Sequence, residues 1–232
     1  MQEQNIYAHP VAVGALDVDT RARFIVRTYV HLFFAILGFV GIETALFASG
    51  LAEPIAQAMM GTSWLLVLGG FMIVGWLASR AAARATGPMQ YLALAAFVAA
   101  EALIFVPLLT IANIYAPGAI SSAAVVTLAA FTGLTAIVFW SRKDFSFLGG
   151  ILKWGFVMAV VAIFAGVIFG FQLGTWFSVA MVGLAGAAIL HDTSNVLRRY
   201  PEDRYVAAAL QLFASVALMF YYVLMLFLSA RD

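Results

Sequence analysis

Three carboxylates fall inside apolar runs of this chain: Glu43, Glu101 and Asp192. An acid or base at the centre of a membrane helix costs about 2.5–3.5 kcal/mol on insertion scales, so one kept there faces a partner, a cavity or a cation. The chemistry such groups do is to hold or pass protons and cations. Asp192 is the foremost candidate. It follows the apolar run Trp176 to Leu190 and belongs to the polar stretch His191-Asp192-Thr-Ser-Asn-Val-Leu-Arg-Arg-Tyr200. Two readings are open for it: a path group, or an interfacial residue in water paired with Arg198 or Arg199. Glu101 lies near the middle of its run and Glu43 late in another. For both, the alternative to a path is a protonated acid hydrogen-bonded to a neighbouring helix, and Gln172 and Gln211 either extend the path or bond across helices.

Other chemistries find few residues. The chain has no cysteine, which removes disulfides, thiolate zinc sites and thiol nucleophiles. His9, His31 and His191 are scattered without ligand spacing, so no metal centre or cofactor is expected. There is no Walker loop or dinucleotide fingerprint. Ser141 and Ser146 have no histidine partner in sequence, so an enzyme is not expected. Lys153 lies one turn into its apolar run, where it can snorkel to the headgroups.

The elements that position these groups follow from composition. Of 232 residues, 65% are hydrophobic and 10% charged, and the mean hydropathy is +1.03. Soluble domains run at about 45–50% and about 25%, so this is an all-α multi-pass membrane protein whose first partner is the lipid bilayer. A net charge of +1 argues against nucleic acid. About 20 apolar residues cross the hydrocarbon. Seven stretches qualify: Thr28–Ser49, Trp64–Ser79, Met89–Asn113, Ala119–Trp140, Leu148–Phe171, Leu173–His191 and Tyr205–Leu228. Pro107 predicts a kink in the third. The first reads as a retained anchor. Residues 1–23 form a polar tail and 24–232 the transmembrane domain.

Basic residues orient the spans. Arg21, Arg23 and Arg27 precede the first; Arg80 and Arg84 follow the second; Arg142, Lys143 and Lys153 flank the fourth-to-fifth connection; Arg198, Arg199 and Arg204 occupy the sixth-to-seventh. The positive-inside rule puts the N-terminus in the cytoplasm and the C-terminus outside. From Leu173, a rise of 1.5 Å per residue carries the helix about 28 Å to Asp192, near the cytoplasmic boundary.

Two passages go further. Trp140-Ser-Arg-Lys-Asp-Phe-Ser-Phe-Leu-Gly-Gly150 resembles the basic-Asp-aromatic connection of the Bax inhibitor family, and Ile189-Leu-His-Asp192-Thr resembles that family's end of helix six, with His191 for the usual Tyr. Leu16-Asp-Val-Asp-Thr-Arg21, Tyr29 and Glu101-Ala-Leu add to the similarity. The resemblance implies a seven-helix bundle with the last helix central. In bacterial members it implies a pH-dependent calcium leak, in which an Asp at the end of helix six and one in helix seven share a proton. An Arg near the second helix locks the closed state, and Arg80 matches it best, with Arg84 close by. Asp192 matches the first acid. Phe213-Ala-Ser215-Val-Ala-Leu218 departs from the pattern, with Ser215 where the family has the second.

The expected function is a pH-sensitive cation (calcium) leak or ion-homeostasis protein of the bacterial inner membrane, linked to stress, with a route past Glu43 and Glu101 to a gate at Asp192 and Arg80. A transient cation contact at Asp192 is the only metal contact foreseen. The alternative is a non-conducting regulator that binds a membrane-bound quality-control protease through its polar tail.

Overall fold

Eight α-helices succeed one another in the structure, a computed structural model that describes residues 11–62, 64–84 and 87–230. They are α1 (Val18–Ala48), α2 (Ala52–Met60), α3 (Trp64–Arg84), α4 (Pro88–Tyr115), α5 (Ala119–Ser141), α6 (Leu148–Phe169), α7 (Gly174–Arg198) and α8 (Tyr205–Ser229). The boundaries follow local chemistry. Asp17 caps α1 by accepting a 2.9 Å hydrogen bond from the Thr20 N–H, and Asp19 complements the helix dipole in the first turn. Pro88 begins α4, where its missing N–H would have no partner in any case. Gly118 takes φ of 84° ahead of α5, a left-handed conformation that suits glycine.

The seven predicted runs lie within α1 and α3 to α8. Six of these helices (α1 and α4 to α8) are long and apolar enough to cross a membrane. α1 begins at Val18, ahead of the predicted Thr28, because the capped polar turn is already helical. α4 continues as one helix through Pro107. The short α2 was not foreseen, since nine residues lie below the length at which a spanning pattern registers. It buries Ala52 and Ala56 against Val106 of α4.

Two helices are each shared by five others: α8 packs against α1, α3, α4, α5 and α7, and α4 against α1, α2, α3, α5 and α8. Phe39 of α1 meets Phe105 of α4 and Phe213 and Phe220 of α8 edge-on, with ring centroids 5.1, 6.2 and 6.4 Å apart. Edge-to-face pairs of this kind place positive ring edges on negative faces. α6 leans on α7, where Gly155 admits the Leu184 side chain; a Cβ there would lie 2.5 Å from Leu184 Cδ1. Outward faces stay apolar, with Phe33, Phe34, Trp154 and Trp176 exposed. No soluble monomer spreads that much apolar surface, and lipid is the solvent that accepts it.

Of the tail expected over residues 1–23, the stretch from residue 11 is described; His9 lies outside the described residues. A 3-10 turn at Val13–Ala15 docks on the α7–α8 connection. The Val13 N–H donates to the Tyr200 carbonyl at 2.8 Å, and Ala12 pairs with Pro201 in an antiparallel bridge. Gly14 passes so close that a Cβ would sit 3.0 Å from the Arg198 carbonyl oxygen.

Candidate functional site

Asp192 is placed in the last third of α7, on the face that meets α8, and it is 4% exposed. The interfacial reading, with the side chain in water beside Arg198 or Arg199, is therefore wrong. Ser215 of α8 donates a 2.6 Å hydrogen bond to Asp192 Oδ2. His191 Nδ1 lies 3.1 Å from Asp192 Oδ1, where its N–H donates. A carboxylate that accepts two such bonds is satisfied without water, and bonds to a charged group contribute about 1.5–3 kcal/mol each. Ser215, which the resemblance sets in the place of a second acid, is thus in direct contact with Asp192.

His191 is held in turn. The Asn195 amide nitrogen lies 3.3 Å from both ring nitrogens, one helical turn along. Gly149 of α6 leaves the imidazole its space, since a Cβ there would approach Nε2 to 2.9 Å.

The two arginines serve the neighbouring connection. Arg198 donates to the Arg142 carbonyl, and Arg199 Nη2 stands 3.8 Å from Asp144 Oδ2. Asp144 Oδ1 accepts from the Ser146 N–H at 2.9 Å and from the Ser194 hydroxyl at 3.3 Å, while Ser194 Oγ accepts from the Phe145 N–H at 3.1 Å. The Ser146 bonds, with Arg199 and Ser194 adding to them, hold the Asp144 carboxyl below the usual carboxylate range. This is the physical content of the Arg-Lys-Asp-Phe-Ser stretch: it ties the α5–α6 connection to the end of α7, one turn beyond Asp192. The sequence reading named Ser194 and Asn195 only as part of a polar run. Their spacing of three and four from His191 was the available signal.

Tyr200 closes the same end. It stacks on Phe24 with centroids 6.4 Å apart, and its backbone carries the N-terminal strap. Burial, together with the adjacent Asp192 carboxylate, pushes its phenol above the ordinary range.

Asp192 and Ser215 line a cavity of about 1460 Å³ between α4, α6, α7 and α8. Along α7 its lining extends from Gly174 to Asn195, which at 1.5 Å per residue is about 32 Å, the thickness of a hydrocarbon layer. Glu101 lines it midway, Gln172 one end, and Gln211 and Lys153, both exposed, the side near Asp192. Glu101 is 7% exposed. The other two predicted residues are elsewhere. Glu43 is 6% exposed, its carboxyl oxygens have no hydrogen-bond partner, and it does not line the cavity. Arg80 is exposed on α3 with its guanidinium 3.9 Å above the Trp76 ring of its own helix, and it makes no ion pair with Asp192. Helical period brings Trp76 and Arg80 together, so the arginine is occupied locally.

Known proteins are similar to this chain in sequence. The family model described as "Inhibitor of apoptosis-promoting Bax1" matches residues 21–232. "Protein LIFEGUARD 4" of Arabidopsis thaliana is 34% identical over 153 residues, 62% of this chain and 59% of that protein. "Bax inhibitor 1" of Schizosaccharomyces pombe is 31% identical over 166 residues, 69% of this chain and 60% of that one. "Modulator of FtsH protease YccA" of Escherichia coli is 32% identical over 83 residues, 35% of this chain and 37% of that one. The chain thus spans less than two thirds of the length of each of these relatives. With the match covering nearly the whole chain and six helices able to cross a bilayer, this multi-pass membrane protein belongs to the Bax inhibitor family.

Proposed function

We propose that the chain crosses a bacterial cytoplasmic membrane seven times, N-terminus inside, and acts there as a stress-linked cation leak with calcium foremost among its ions. α3, at 21 residues and about 32 Å, would be the seventh crossing. The observation that carries the reading is the cavity: it runs about the depth of a bilayer past Glu101 to a buried, hydrogen-bonded Asp192. A leak needs weak, successive contacts rather than a tight site, and spaced acids supply them. The strap at Val13 and the Tyr200 ring would form the cytoplasmic closure, in place of an Arg80 lock.

The test separates Glu101 from Glu43. In calcium-loaded vesicles Glu101→Gln is expected to slow efflux several-fold, because removing an acid that a passing cation contacts is felt in the barrier (about 1.4 kcal/mol is tenfold). Glu43→Gln, off the cavity, leaves efflux unchanged. Equal efflux in Glu101→Gln and the parent would end the proposal.

A second reading has its own support: a relative is named as a modulator of a membrane protease. A chain working that way would offer residues 1–10 to a protease while residues 12–16 stay docked. Removing residues 1–10 is expected to abolish modulation of reconstituted FtsH and leave calcium efflux intact. Modulation that survives the deletion rules out engagement through the tail.

A further inference from the structure

We propose that the cavity is a binding site for a lipophilic organic cation, held by the Glu101 carboxylate within aromatic walls. Glu101 points into the cavity and is more than nine-tenths buried, yet among the described residues no hydrogen bond or ion pair reaches its carboxyl. Phe97 and Phe105 lie four residues before and after it on the same face of α4, and both line the cavity. Tyr221, Tyr222 and Phe177 supply further rings across it, braced on one another with centroids 5.2 and 5.9 Å apart. A carboxylate among aromatic rings matches a large cation with diffuse charge, which gains cation–π attraction and loses little hydration on entry.

A dehydrated divalent ion is a poorer match for this place. Calcium takes six to eight oxygen ligands, and among the described residues no three His, Cys, Asp or Glu groups are gathered to hold a metal. An anionic amphiphile would meet Glu101 and Asp192 as like charges. The volume, about 1460 Å³, exceeds the 300–1,000 Å³ of common small-molecule pockets, so bulky aryl substituents fit. Binding of this kind does not depend on the cavity conducting, and its readout is occupancy rather than flux.

Tetraphenylphosphonium and tetraphenylborate share size and shape and differ in sign, which makes them the probes. Equilibrium dialysis against the full chain in nanodiscs is expected to give saturable binding of the phosphonium, near one per chain, and at least about tenfold weaker binding of the borate. Glu101→Gln is expected to weaken phosphonium binding by roughly tenfold or more, and Glu101→Asp to retain most of it. Equal binding of the two probes, or undiminished binding by Glu101→Gln, overturns the proposal. Should Glu101→Gln fail to fold, the comparison of the two probes on the unaltered chain still decides.

Discussion

Replacing Asp192 by Asn is expected to reduce calcium efflux from reconstituted vesicles to the level of protein-free vesicles, without loss of fold. The amide keeps the shape of the carboxylate. Its oxygen still accepts the 2.6 Å bond from Ser215, and its nitrogen faces His191 Nδ1, which accepts as readily as it donates in the other tautomer. What disappears is the negative charge at the end of the cavity that Tyr200 also lines. In a low-dielectric site that charge attracts a passing cation far more strongly than in water. Efflux by Asp192→Asn equal to that of the parent removes Asp192 from the path, whatever the cavity otherwise does.

Ser215→Asp should have the opposite character, setting a second acid beside Asp192 and with it a proton-dependent gate. Ser215 is 4% exposed and its hydroxyl touches Asp192, so a carboxylate there faces another at hydrogen-bonding distance. Two such groups cannot both ionise cheaply; they hold one proton between them. The folded pair then binds a proton that the unfolded chain has released. Stability therefore falls as pH rises, and the thermal midpoint of Ser215→Asp drops on the alkaline side by more than that of the parent. Once that proton is lost, the exchange of a hydroxyl donor for a second acceptor costs about 1–3 kcal/mol. Loss of the shared proton adds a charge and pushes α7 and α8 apart, so calcium efflux rises with pH. Identical pH profiles for Ser215→Asp and the parent would show that position 215 does not govern the state of Asp192.

Both predictions depend on a contact that the amino-acid order half discloses. Asp192 was legible as a candidate because an acid beside so long an apolar run is expensive, and Ser215 was legible as a departure because the surrounding pattern marks its place. The contact between them was not, since 23 residues and a turn separate the two and only helix packing sets the register of α7 on α8. Arg80 shows the converse. Its charge set it among the arginines of the positive-inside pattern, yet charge carries no direction, and the local ring of Trp76 captured it. Glu43 and Glu101 read alike in sequence; the packing of α4 turned one toward a cavity and α1 kept the other away from it.

Composition and hydrophobic run length by themselves determined that this is a helical membrane protein, where its long apolar helices run, and that a few buried acids needed explaining. Those are local or summed properties: insertion cost, helix length and capping depend on residues near in sequence. Tertiary structure alone decided the nine-residue α2, the docking of the N-terminal strap on Tyr200, and the gap between α6 and α8 that becomes a cavity. It also decided that Asp192 is held by Ser215 and His191 rather than by arginine. Each of these depends on which helix faces meet, and a helix presents every side chain to some neighbour without its sequence naming which.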